Sequence, residues 1–132
     1  MIYGIGIDIV KVDRIKKWLQ DGNLVQRFFN PAEMNSSSSV QASAEHYAAR
    51  FAAKEAFGKA LGTGLCGFKL QDVFVKNDEF GKPELFLQDE AAELLKKKCG
   101  NAKIHLSLTH EKEYALAYLI IEKFQEEIEE LN

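Results

Sequence analysis

The sequence predicts an α+β domain in which an antiparallel sheet packs against one long central helix. Three stretches carry that prediction. Residues 2–10 alternate with a period of two, and Gly4 and Gly6 fall on the same face. Residues 44–61 are alanine-rich, with Ala44, Ala48, Phe51, Ala52, Glu55 and Lys59 on one helical stripe and Ala53, Phe57, Ala60 and Leu61 on the opposite face. Residues 103–109 alternate and residues 114–121 are almost wholly apolar, so the two read as a hairpin whose second arm is central to the sheet. At 132 residues the chain makes one domain, 1–132, with 124–132 as a C-terminal helical extension.

In chain order, strand 2–10 puts Tyr3, Ile5, Ile7 and Ile9 on one face and Gly4, Gly6, Asp8 and Val10 on the other. Glycine inside a strand marks a close backbone approach, and the alanine stripe of the long helix is the natural partner. Residues 12–20 are helical through Val12, Ile15, Trp18 and Leu19, and Asp21-Gly22-Asn23 stops them. A short helix at Leu24–Phe29 follows, then a new turn at Asn30-Pro31. Ser36–Ser39 is a loop, Ser43 caps the long helix, and Gly62 ends it in a left-handed cap. Residues 72–77 and 84–87 form a hairpin around residues 78–83, and residues 89–98 form an amphipathic helix ended by Gly100. Residues 124–131 repeat Phe124, Ile128 and Leu131 at helical spacing.

An apolar fraction of 46% is ordinary for a globular protein, and a net charge of −3 argues against nucleic-acid binding through a basic surface. Cys66 and Cys99 have neither metal-site nor disulfide-framework spacing. The N-terminal stretch has no cationic leader and no apolar run approaches membrane-spanning length, so a soluble cytoplasmic protein with no membrane partner is expected.

The chemistry concentrates near Glu55. A buried glutamate is costly unless it is paired, protonated or bound to a metal. Spacing alone pairs it with Lys59, worth ~0.2–0.5 kcal/mol if exposed. Asp8 reads equally well as a helix cap and, with Glu55, as an oxygen ligand for a hard cation such as Mg²⁺. Arg50 and Lys54 lie together away from the Glu55 stripe, on a face read as solvated. Gly62-Thr63-Gly64 reads as a helix end, where the dipole disfavours anions, and Gly81-Lys82-Pro83 as a hairpin turn. His110 closes a strand. His105, Ser107 and Thr109 share a strand face with no acid placed to complete a triad, which argues against a serine hydrolase.

Together these blocks resemble the holo-acyl-carrier-protein synthases, the small bacterial 4′-phosphopantetheinyl transferases. The resemblance rests on Ile5-Gly-Ile-Asp8 with Arg14-Ile15, on Arg50-Phe-Ala-Ala-Lys-Glu55-Ala-Phe-Gly-Lys59-Ala-Leu-Gly-Thr-Gly64, on Gly81-Lys82-Pro83, and on Ser107-Leu-Thr-His110 followed by Lys112-Glu-Tyr-Ala115. It implies the phosphopantetheinyl transferase fold and transfer of 4′-phosphopantetheine from coenzyme A to a serine of apo-acyl carrier protein, in fatty acid biosynthesis. It implies Mg²⁺ held by Asp8 and Glu55, with Glu55 and Lys59 catalytic. It implies coenzyme A contacts from Arg50, Lys59, Gly62, Gly64, Gly81, Lys82, Pro83 and His110, and carrier-protein contacts from Arg14 and Lys17. It also implies a homotrimer with active sites at subunit interfaces. Two departures stand out: Glu111 follows the motif histidine, where many relatives carry a hydroxyl residue, and an acidic extension follows Glu122. The alternative is a non-catalytic carrier-protein or nucleotide-binding module, which would need neither Asp8 nor Glu55.

Overall fold

In the computed structural model, which describes residues 1–35, 37 and 39–125, the long helix is the axis of a single α+β domain. Strand β1 (Ile2–Lys11) leads into helix α1 (Val12–Leu19) and helix α2 (Gly22–Phe28). A 3₁₀ turn (Pro31–Glu33) precedes the central helix α3 (Val40–Leu61). After a second 3₁₀ turn (Leu70–Asp72) come the hairpin β2 (Val73–Asn77) and β3 (Pro83–Leu87), helix α4 (Asp89–Cys99), and the hairpin β4 (Ala102–His110) and β5 (Tyr114–Lys123). The main sheet is antiparallel in the order β1–β5–β4, so the near-continuous apolar arm is indeed the central strand.

Helix α3 is covered on most sides, as its two apolar faces require. The main sheet lies on one side, burying Val10, Ala115, Ala117, Leu119 and Ile121 against it. Helix α1 and the β2–β3 hairpin cover the others. The glycines of β1 permit the contact: a Cβ on Gly4 would stand 1.8 Å from the Ala60 carbonyl oxygen, and one on Gly6 would stand 1.8 Å from that of Ala56. The approach therefore falls on Ala56 and Ala60, one residue beyond the Glu55–Lys59 line, rather than on Ala44 and Ala48. The opposite sheet face is open in the single chain, with Ile5, Ile7 and Ile9 exposed by 54, 52 and 59%.

Three boundaries differ from expectation. Helix α3 begins at Val40, capped by Ser39, whose hydroxyl accepts from Ala42 N; Ser43 is already inside it. The first turn is exposed, so the apolar stripe does not mark it. Asp21 both follows α1 and caps α2 by accepting from Asn23 N, which starts that helix at Gly22. Phe124 and Gln125 are not helical, and Phe124 N donates to the Asn101 carbonyl (3.0 Å); the rest of the expected terminal helix lies outside the described residues. No described helix is long and apolar enough to cross a membrane.

Candidate active site

The close packing of β1 on α3 brings Asp8 to Lys59. Lys59 Nζ donates to Asp8 Oδ1 and to the Ile7 carbonyl oxygen, both at 2.9 Å. The ammonium thus crosses to β1 instead of taking the i,i+4 pair with Glu55. The cap reading of Asp8 also fails: α1 is preceded by Lys11, with no side-chain cap bond.

Glu55 is half-buried, and among the described residues it has no cation within ion-pair distance. Burial pushes its carboxyl above the ordinary range, and the negative charge of Asp8 adds to this; Lys59 and Arg14 pull the other way. Two carboxylates and a lysine are therefore close enough to feel one another. Arg14 is at the rim, its guanidinium carbon 5.1 Å from the Trp18 ring centroid and 5.4 Å from that of Phe51, one helical turn before Glu55. Lys17 is exposed on the same helix.

The donor set is all oxygen, which suits a hard cation. No described group of three or more His, Cys, Asp and Glu side chains could cage a metal. Two carboxylates with further positions left for water and phosphate oxygens is the arrangement magnesium takes with phosphate substrates, so the residues present fit that ion.

The other expected residues lie elsewhere in the chain. His110, at the end of β4, has Nδ1 3.9 Å from Glu45 Oε1; Glu45 is ten residues before Glu55 on α3, ~15 Å along the helix. Arg50 donates to the His46 carbonyl (3.3 Å), and its buried Nε has no partner among the described residues; burial lowers its affinity for the proton, with Glu33 opposing. Gly81 has a φ of 83° in the β2–β3 turn. Lys82 and Pro83 line a hollow of ≈ 320 Å³ against Lys103–Leu106 of β4. Gly62 takes the left-handed cap (φ 89°), and the N–H groups of Gly62, Thr63 and Gly64 all converge on the Gly58 carbonyl, so this loop is a helix end as its position implied. A larger hollow, ≈ 540 Å³, opens between the end of α4 and Lys123, away from all of these.

Lys54 is the residue the sequence misassigned. Far from solvated, it is fully buried with Glu33: Nζ donates to Glu33 Oε1 (2.6 Å), to the Leu70 carbonyl (3.0 Å) and to the Val73 carbonyl. Glu33 is saturated in turn by Asn30 N (3.0 Å) on Oε1 and by Val75 N (3.0 Å) on Oε2. The available signal was that a helix apolar on both faces leaves no solvated face for Lys54.

Residues 4–119 match the 4′-phosphopantetheinyl transferase superfamily, and the chain belongs to that family. Within it, the similar proteins are the holo-acyl-carrier-protein synthases. The holo-[acyl-carrier-protein] synthase of Treponema denticola is 56% identical over 123 residues, 92% of this chain and 99% of that protein. The crystal structure of the synthase from Bacillus anthracis in complex with CoA (3′,5′-ADP) is 36% identical with a TM-score of 0.74, over 94% of this chain and 99% of that one. The Plasmodium yoelii synthase is 32% identical with a TM-score of 0.82, over 95 and 98%.

Proposed function

We infer that this protein is a holo-[acyl-carrier-protein] synthase, transferring 4′-phosphopantetheine from coenzyme A to a serine hydroxyl of apo-acyl carrier protein and releasing adenosine 3′,5′-bisphosphate. One observation carries the reading beyond family membership: β1 and α3 bring Asp8, Glu55 and Lys59 into one cluster, with Glu55 left without an ion-pair partner among the described residues. Asp8 and Glu55 would hold a magnesium ion. Bound there, the ion would supply positive charge against the charge developing on the phosphates. Lys59 contacts the pyrophosphate. Glu55, which has no lysine on it among the described residues, takes the serine proton, a role that competes with ligation for the same carboxylate.

Arg50 and His110 contact the ribose 3′-phosphate, Gly81, Lys82 and Pro83 wall the adenosine end, and Gly62 and Gly64 shape the loop beside the pyrophosphate. Arg14 and Lys17 meet the acidic carrier protein. In one chain these groups are dispersed, and a homotrimer with sites at its subunit interfaces reunites them. The open apolar sheet face, with Ile5, Ile7 and Ile9, supports that assembly. The cytoplasm is the compartment that suits this substrate pair.

The test is intact-mass analysis of apo-acyl carrier protein incubated with this protein, coenzyme A and Mg²⁺, with and without chelator. The expected result is a gain of one phosphopantetheine that the chelator prevents. No gain with several carrier proteins and folded enzyme would sink the reading.

A further inference from the structure

We propose that Lys59 is a built-in stand-in for the metal: it holds Asp8 in the metal-free protein and must let go before a divalent cation can take that carboxylate. The proposal rests on the transferase reading, because it concerns the same site. An α3 lysine four residues after Glu55 has that glutamate as its default partner. Lys59 instead reaches across to β1 and takes two oxygens there, Asp8 Oδ1 and the Ile7 carbonyl, each at 2.9 Å. One of the two carboxylates that would ligate a metal is thus already bound to a cation.

The arrangement answers a problem of the metal-free state. The Asp8 side chain is 16% exposed and Glu55 is half-buried, so without a metal two poorly solvated carboxylates need a counter-charge. The Lys59 ammonium supplies it to Asp8. It cannot remain there beside a divalent cation, since two positive charges would compete for one oxygen. Release is sterically simple: the Lys59 side chain is 52% exposed and its ammonium rides a flexible four-carbon stem. The pyrophosphate of coenzyme A offers it a new anionic partner. Metal and coenzyme A therefore bind with positive coupling, each favouring the lysine position the other needs.

The test is Mn²⁺ binding, followed by paramagnetic resonance, to the wild-type protein and to Lys59→Met, each with and without coenzyme A. Manganese suits the same oxygen donors. The variant is expected to bind Mn²⁺ about tenfold more tightly in the absence of coenzyme A, within the usual range of coupled sites. The increase in Mn²⁺ affinity that coenzyme A brings to the wild type should shrink in the variant. Competition for one oxygen should survive about 1 M KCl, where the screening length is ~3 Å and through-space repulsion fades. Equal or weaker Mn²⁺ binding by a folded Lys59→Met protein, or a gain that vanishes in high salt, would overturn the proposal. Failure of the transferase reading shows separately, as absence of phosphopantetheine transfer by the wild-type protein.

Discussion

Helix α3 carries two lysine–carboxylate pairs little more than one turn apart, and they behave as opposites. Lys54 and Glu33 have 0% side-chain exposure, and every proton of the ammonium is used. Lys59 and Asp8 meet at a similar distance, with the lysine 52% exposed and the aspartate 16%. The residue types are alike, so the chemistry of the pair does not set its role. Burial does. A buried pair with no alternative partner fixes the connection before α3, β2 and the helix together. A half-solvated pair can be exchanged for other ions, which a binding site requires.

The strongest way to break that contrast is to remove one lysine of each kind. Lys54→Met strands Glu33 in the interior as an uncompensated charge, and the expected loss is ~3–5 kcal/mol in denaturant unfolding. Lys59→Met should cost less than ~1 kcal/mol, the ordinary worth of an exposed pair. Equal losses would mean that the two pairs do the same job.

A second substitution attacks the scaffold that makes the exposed pair. Gly6→Ala places a Cβ where the Ala56 carbonyl already stands, so β1 must lift from α3. Overpacking of this kind costs ~1–3 kcal/mol or more. Because the shift also carries Asp8 away from Lys59, transfer activity should fall further than stability alone explains. Activity falling only in step with the folded fraction would show that the site tolerates the displacement.

A third, smaller effect sits at the rim. Arg14→Ala removes a guanidinium stacked on Trp18 and Phe51, a contact worth ~0.5–1 kcal/mol at an exposed site. It should weaken carrier-protein binding in a titration while leaving coenzyme A binding intact, and wild-type binding should fade with added salt. Salt-insensitive binding would assign recognition to apolar contacts instead.

How much of this could be read from the chain follows the same divide. Elements with a clean period were legible: the glycine-marked strand, the central apolar arm and both hairpins. So were Asp8, Glu55 and Lys59, as polar residues at positions where apolar ones were expected. The pairing was not. Spacing along one helix gave Lys59 to Glu55, whereas the sheet offers it Asp8 from 51 residues away. Lys54 was illegible for a related reason: its partner comes from a short 3₁₀ turn that Asn30-Pro31 marks, but nothing in that mark says where the Glu33 side chain goes. Periodicity reports which face an element hides, not which distant carboxylate meets it there. The dispersal of Arg50, His110 and Gly81–Pro83 over the chain fits the homotrimer proposed above, whose geometry one chain's pattern does not encode.

The smallest expected effect is also the one that separates Glu55 from Glu33 most directly. Burial and Asp8 raise the affinity of Glu55 for a proton above that of the unfolded chain. The folded state therefore prefers the protonated carboxyl. As pH climbs from the range where a free glutamate titrates, ~4.3, through the raised value, ionising Glu55 takes stability away. Glu55→Gln keeps the neutral shape at every pH. At pH 8 the variant should melt slightly above the wild type, and the gap should close as the pH is lowered toward that of a free carboxylate. Transfer should be abolished throughout. A Glu55→Gln protein that melts lower than the wild type at pH 8 would make Glu55 a structural partner of the same kind as Glu33. The division of α3 into a fixed pair and an exchangeable site would then have to be redrawn.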